Sequence, residues 1–366
     1  MKKFQISDCT LRDAKNAPGI FLDVEQSVNI AKYLISIGVD EIEAGVANNS
    51  ESEKAVLSQI SSIAPKNIRI TAAFFCVNPS DIEKSIEFVI ESGCTGIFIS
   101  MPCSDILIEN KFLKSRKDTL SILCKAITYA KKRGLYVAFS GEDAARADET
   151  FLLEYIKAGQ ESGGDRFRFA ESVACLSPRM IKDKISYITS NTDAEIEMHS
   201  HSAYGFAVAN TISGLDAGAH WASVTVDGIG ERGGNCALAP ILFYSRKFHH
   251  NDRYNFTPLK NLSDYVSDAT GLLLHRFTPV VGSSAFEYEV FNQFKSPSAY
   301  EDYAPEEVGN TRRIIIGNRI DSNTIRSISN DIGLDKNIVQ KYIFDYIKKT
   351  RKSLTVDEAI NLIRSL

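Results

Sequence analysis

The sequence predicts an α/β protein: an eight-stranded (β/α)8 barrel followed by a mostly helical C-terminal appendage. Short apolar runs alternate with longer segments of helical period, and eight such units precede residue 250. Polar, titratable residues gather just after the apolar runs, where a parallel barrel places its chemistry. At 366 residues, 44% hydrophobic and 10% aromatic, the chain also has apolar surface for one barrel of about 250 residues plus a smaller attachment.

Taken in order, the strands are expected at 4–8, 41–44, 68–75, 96–100, 136–140, 166–170, 195–199 and 223–227. Helical segments at 24–37, 80–91, 119–133 and 151–160 lie between them, and Gly38, Gly93 and Gly134 stand where a helix closes. The strand ends carry Asp13 with Arg12, Glu43, Ser100, Glu142 with Asp143, Glu171 with Ser172, His199 with His201, and Asp227 with Glu231 and Asn235. After residue 251 the rhythm stops. A helix is expected at 261–275, mixed structure at 277–294 and a proline-punctuated linker or lid at 296–306. Helices then follow at 322–332, 336–351 and 355–365, the last opened by a Thr355/Glu358 capping box. The expected division is 1–255 for the barrel, 256–310 for a linker or lid and 311–366 for a helical subdomain.

With 42 Lys+Arg against 46 Asp+Glu and a formal charge of −4, the chain lacks the basic surplus of a nucleic-acid-binding protein. The start reaches Gln5, Ser7 and Asp8 too soon for a signal peptide, and no stretch approaches the roughly 18 apolar residues of a membrane span. Seven cysteines at 9, 76, 94, 103, 124, 175 and 236, with no CxxC pair, argue against a disulfide framework or a cysteine-rich zinc site. A soluble cytoplasmic protein is expected.

Met198-His199-Ser200-His201 is the strongest local signal. On an extended backbone residues i and i+2 share a face, so both imidazoles can meet one metal ion. Asp13 becomes a neighbour of strands seven and eight once the barrel closes, and Asn235 offers a neutral oxygen. An Asp13/His199/His201/Asn235 site suits a divalent ion acting as a Lewis acid on a carbonyl. In Asp8-Cys9-Thr10-Leu11-Arg12-Asp13, Arg12 beside a ligand can stabilise developing negative charge; the alternative is a salt bridge closing the barrel mouth. Glu142, in Phe139-Ser140-Gly141-Glu142-Asp143, suits a general base; the alternative is an ion pair with Arg146 or Arg168. The glycine-rich loop 227–235 is no nucleotide fingerprint, since no Rossmann order surrounds it. Phe74 and Phe75 hint at an apolar side-chain pocket, although a core role fits them equally.

Three ordered motifs carry a resemblance. D-x-T-L-R-D at 8–13, H-x-H-x-x-x-G-x-A-x-A-N-T at 199–211 and G-x-G-E-R-x-G-N at 228–235 resemble the DRE-TIM metallolyases, which are TIM-barrel enzymes. Within them the chain most resembles the 2-isopropylmalate, homocitrate and citramalate synthases, and F-S-x-E-D-A-x-R-x-D at 139–148 and V-V-G at 280–282 extend the likeness. The short layout, without room for the allosteric domain of the leucine-pathway enzymes, resembles homocitrate synthase.

The resemblance implies a Claisen condensation of acetyl-CoA, or another acyl-CoA, with a 2-oxo acid, dependent on Mg²⁺, Mn²⁺ or Zn²⁺, in a homodimer. It implies Asp13, His199 and His201 as metal ligands, with Asn235 as a fourth ligand or substrate contact. Arg12 would polarise the 2-oxo group and Glu142 would assist enolisation. Ser172 would hold the oxo acid's carboxylate, with Asn16, Glu43 and Arg168 as further substrate contacts. The chain departs from the family at Ser202-Ala203-Tyr204, where Asn-Asp is usual, at Asn16, which replaces a glutamine, and at Ala170-Glu171-Ser172, which replaces A-D-T. Gln293 stands where the appendage has a histidine assigned to proton transfer. Two competitors are a carbon–carbon lyase or aldolase resembling 3-hydroxy-3-methylglutaryl-CoA lyase, and a non-catalytic relative. The lyase places a cysteine inside the glycine loop, which here holds none before Asn235.

Overall fold

A computed structural model describes residues 3–76 and 78–365. Eight parallel strands close in sequence order: β1 (Gln5–Asp8), β2 (Glu41–Val46), β3 (Arg69–Phe75), β4 (Gly96–Pro102), β5 (Tyr136–Glu142), β6 (Arg166–Glu171), β7 (Ile196–Ser200) and β8 (Trp221–Val224). β1 pairs with both β2 and β8, completing the ring. The expected barrel is therefore present.

Local sequence explains the surrounding helices. Val24–Ile37 starts at Asp23, whose side chain accepts the Gln26 N–H in a reciprocal capping box, and it stops at Gly38 in the left-handed region. Its apolar stripe of Val28, Ala31 and Leu34 is buried. The outward faces of the strands continue that layer: Phe167 packs its ring 5.5 Å from Phe139 and 6.2 Å from Tyr155 of the helix Glu149–Glu161.

The barrel interior is different. β6 reads Arg-Phe-Arg-Phe, so the period of two that sends Phe167 and Phe169 outward sends Arg166 and Arg168 inward. Arg166 meets Glu41 of β2 at 2.5 Å and Glu197 of β7 at 2.8 Å. Arg168 meets Glu43 at 2.8 Å and Glu197 at 2.9 Å, and Arg12 joins Glu43 at 2.5 Å. Arg69 closes the other end on Glu41 at 3.2 Å. Buried charges persist only when paired, and here Glu41, Glu43 and Glu197 each bridge two guanidinium groups. Burial opposes ionisation of Glu41, but Arg166, Arg69 and Arg168 overcome it and hold the carboxyl below its usual range.

β8 begins and ends earlier than the sequence suggests. Residues 225–227 leave the sheet: Val226–Gly228 form a 3-10 turn with Asp227 at φ 53°, and Asp227 accepts a hydrogen bond from Ser263 at 2.8 Å. The helix expected at 261–275 is Leu259–Thr270, stopped by Gly271 at φ 70°.

Two units divide the chain. One runs to Pro258 and includes Leu262–Leu273; the other combines Leu259–Asn261 with the residues from Leu274 onward. The second unit has the expected helices Ser322–Ile332, Lys336–Thr350 and Val356–Arg364, the last capped by Thr355 and Glu358. It also has a small sheet that the sequence did not announce. β9 (Glu287–Tyr288) lies parallel to β10 (Arg313–Ile316), which pairs antiparallel with β11 (Leu354–Thr355). Ile316 and Leu354 of that sheet join Ile325, Ile328, Val339 and Ile343 in its own core. Among the described residues no helix is long and apolar enough to cross a membrane.

Candidate active site

The C-terminal mouth of the barrel holds a cavity of about 280 Å³. Arg12, Asp13, Asn16, Glu142, Arg168, Ser172, His199 and His201, all named from the sequence, line it. Glu43 and Asn235 do not; each lies directly behind a lining residue. Glu43 is fully buried and bonded to Arg12 and Arg168, so it orients those guanidiniums and has no free edge for a substrate.

Asp13, His199 and His201 each bring one ligand atom within 4.8 Å of the others. β7 delivers His199, and a bridge between His201 and Asn235 ties the following residue pair to the glycine loop. Ser223 Oγ lies 2.9 Å from His199 Nδ1 and orients that ring. The two rings stand nearly perpendicular, 5.0 Å apart. Asn235 Nδ2 donates to Asp13 Oδ2 at 2.5 Å and to Ile229 O at 3.2 Å, while Arg12 binds the other Asp13 oxygen. Gly230 makes this possible, because a Cβ there would stand 2.1 Å from Asn235 Nδ2.

The protonation states suit a cation. Burial, opposed in part by Asp13, keeps both imidazoles neutral and drives their pKa values below the ordinary histidine value. Burial would raise Asp13, but the Arg12 guanidinium above all, helped by the Asn235 amide, outweighs it and holds the carboxyl ionised below its usual range. Two buried polar atoms, His201 Nδ1 and Asn235 Oδ1, have no hydrogen-bond partner among the described residues. An anionic oxygen, two neutral imidazoles and an orphan amide oxygen form a donor set that fits Mg²⁺, Mn²⁺ or Zn²⁺.

Glu142 stands at the rim. Neither Arg146 nor Arg168 pairs with it; Arg146 binds Asp143 instead. Its partner is Lys111, at 2.7 and 2.9 Å, a residue that the sequence gave no reason to select. Lys111 sits on a five-residue π turn, Ile108–Phe112, ended by Leu113 at φ 54°. Ser172 Oγ accepts the Asp143 N–H at 2.9 Å, and its carbonyl accepts from Arg232 at 2.6 Å. Arg232 also lines the cavity, and its place in the 228–235 motif was the available signal. Asp227 lies outside the lining.

The family model HMGL-like matches residues 3–266, and the chain belongs to that family. Homocitrate synthase 1 of Nostoc sp. is 33% identical over 374 residues, covering 100% of this chain and 98% of that protein. A 2-isopropylmalate synthase of Sulfolobus acidocaldarius is 37% identical over 322 residues, covering 86% of this chain and 82% of its own length. Among solved structures, the hydroxymethylglutaryl-CoA lyase of Pseudomonas aeruginosa superposes with a TM-score of 0.66 at 17% identity, over 74% of this chain and 94% of that one. This last likeness concerns the fold alone.

Proposed function

We propose that this protein condenses acetyl-CoA, or another acyl-CoA, with a small 2-oxo acid, releasing CoA and a 2-hydroxy di- or tricarboxylate. The observation that carries the proposal is the Asp13/His199/His201 cluster on one cavity with Arg12 and Glu142, in a chain 33% identical end to end to a homocitrate synthase. A divalent cation held by Asp13, His199 and His201, with Asn235 as a further oxygen donor, would supply Lewis-acid polarisation of the 2-oxo group. Arg12, fixed by Glu43 and Asp13, lies beside the place where negative charge develops on that oxygen. Ser172 and Asn16 hold the acid's carboxylate.

Glu142 takes a proton from the methyl carbon of the acyl thioester, with Lys111 keeping its carboxylate oriented between turnovers. The carbon nucleophile attacks the 2-oxo carbon, forming the new C–C bond, and the former oxo oxygen takes up a proton. Water then cleaves the thioester and the thiol leaves. Gln293 cannot carry the proton that the family's histidine would carry, so Glu142 has the larger share of proton transfer here. A lyase is less well supported, since the glycine loop carries no thiol before Asn235 and Cys236 is fully buried. A cytoplasmic homodimer belongs to the same proposal, supported by the seven free cysteines and the family resemblance.

The test is release of free thiol from acetyl-CoA with pyruvate, 2-oxoisovalerate, 2-oxoglutarate, oxaloacetate or glyoxylate, with Mn²⁺ or Mg²⁺ and with chelator. Metal-dependent release with one of these acids, lost in His199→Ala, is the expected outcome. Stoichiometric metal binding with no release from any acid would overturn the proposal.

A further inference from the structure

The second unit has a cavity of its own, of about 430 Å³, which shares no lining residue with the barrel mouth. Strand register builds it. β10 and β11 run antiparallel with Ile316 opposite Leu354, so Gly317 and Ser353 leave the sheet side by side. The end of the helix Lys336–Thr350 brings Phe344, Ile347 and Lys348 to the same space, and Arg351 and Lys352, just beyond it, complete the wall.

Charge distinguishes this cavity from the rest of the surface. Lys348-Lys349-Thr350-Arg351-Lys352 places four cations in five residues of a chain whose formal charge is −4. Lys348, Arg351 and Lys352 line the cavity, and no carboxylate does. None of the three side chains has an ion-pair or hydrogen-bond partner among the described residues. Glu289 packs on Gly317, where a Cβ would stand 2.0 Å from its Oε1, without lining the cavity. Even with that carboxylate counted, three cations against one anion leave an excess of two. A helix C-terminus carries about half a negative charge, which Lys348 in the last turn alone offsets, so the helix does not account for Arg351 and Lys352. Arg351 itself sits in the left-handed region at φ 58°, a position that Gly333 fills at the end of the preceding helix. Glycine is the less strained choice there, but it would remove a guanidinium from the cavity.

Beside the charges lies an apolar surface. Phe344 is 54% exposed, and Ile347 beneath it is buried. Guanidinium and ammonium groups that converge without acceptors match phosphoryl oxygens, the first by its planar fork and the second as a point charge. One carboxylate would neutralise only one of the cations, whereas two or three phosphoryl groups match all of them. An open phenyl face takes a flat base by stacking, and a space of this size suits a small molecule. We infer that this cavity binds a nucleoside di- or triphosphate, with the phosphates on Lys348, Arg351 and Lys352 and the base on Phe344. The inference goes beyond condensation and does not depend on it.

The experiment is calorimetry on the full chain at constant Mg²⁺, with ADP, inorganic pyrophosphate and CoA as probes. Arg351→Gln/Lys352→Gln removes two charges from the cavity; Arg326→Gln/Lys341→Gln removes two from elsewhere on the second unit. All four positions and Phe344 are exposed, and equal thermal melting confirms folding of the variants. ADP is expected to bind once per chain, more weakly as KCl is raised. Its Kd should rise roughly tenfold or more in the cavity pair and stay unchanged in the other pair. Phe344→Ser should weaken ADP and leave pyrophosphate unaffected. Absence of ADP binding, or equal weakening by both pairs, would overturn the inference. Pyrophosphate bound as tightly as ADP, with Phe344→Ser without effect on either, would overturn the assignment of a nucleoside. CoA bound through the cavity pair at least as tightly as ADP would overturn the assignment of a free nucleotide.

Discussion

Asp8 closes β1 and is fully buried. Its Oδ1 accepts the Thr10 N–H at 2.9 Å, and its Oδ2 has no partner among the described residues. Burial, the largest influence, pushes its carboxyl from 3.8 to about 7; Thr10 pulls it back and Glu43 adds to the rise. The folded chain therefore keeps a proton that the unfolded chain gives up near pH 4. With the folded pKa raised, the stabilising contribution is complete below about pH 4, declines as pH rises, and is gone above about pH 7. About three pH units at about 1.4 kcal/mol each set an upper bound of about 4 kcal/mol, of which roughly 2–3 kcal/mol falls between pH 5 and pH 8. Asp8→Asn keeps the shape and the Oδ1 acceptor but cannot ionise. Urea unfolding at pH 5, 6, 7 and 8 should show its stability relative to the parent growing by roughly 2–3 kcal/mol across that range. The unpaired amide N–H adds a pH-independent cost of about 1–3 kcal/mol at every point. A stability difference that stays flat from pH 5 to pH 8 would refute the assignment of this slope to buried Asp8.

Other perturbations probe the interior and the mouth. Glu197→Gln removes the carboxylate shared by Arg166 and Arg168 and should cost about 3–5 kcal/mol in urea unfolding; a loss under about 1 kcal/mol would mean that the two arginines do not depend on it. Gly230→Ala forces the Asn235 amide away from Asp13, so the Mn²⁺ Kd should rise roughly 10- to 100-fold with unchanged circular dichroism. An unchanged Kd would show that Asn235 does not orient the ligand. Glu142→Gln should lower thiol release roughly 10²- to 10⁴-fold with Mn²⁺ binding intact, as expected for loss of a general base; near-parent rates would move that role elsewhere.

How much of this was legible depended on the range of the interactions involved. Seven strands fall within a few residues of their expected spans because apolar outward positions such as Ile97, Ile99, Phe167 and Phe169 mark them locally. β8 was placed two residues late because Val224-Thr225-Val226 continues the alternation of a strand, whereas the backbone turns at Asp227 to build the glycine loop. The cluster of Asp13, His199 and His201 was readable because residues i and i+2 of an extended segment share a face and the barrel closes β1 on β8. The interior ion chain was not readable. Glu41, Glu43, Arg166, Arg168 and Glu197 look like any charged strand positions until closure decides which face is inside, and Glu43 was accordingly expected to touch substrate. Lys111 was hidden because its reach to Glu142 depends on a π turn that no short motif marks. The three-stranded sheet of the second unit escaped because two of its strands have two residues each.

Condensation at the Asp13/His199/His201 site is tested most directly by following the carbon. The protein is incubated with Mn²⁺, the preferred 2-oxo acid and acetyl-CoA labelled with ¹³C in both acetyl carbons, and the product is read by mass spectrometry. A hydroxy acid carrying both labelled carbons, formed in equal amount with free CoA and absent with His199→Ala or chelator, is the predicted result. Free CoA accompanied only by labelled acetate, or no labelled product at all while Mn²⁺ remains bound, would contradict it.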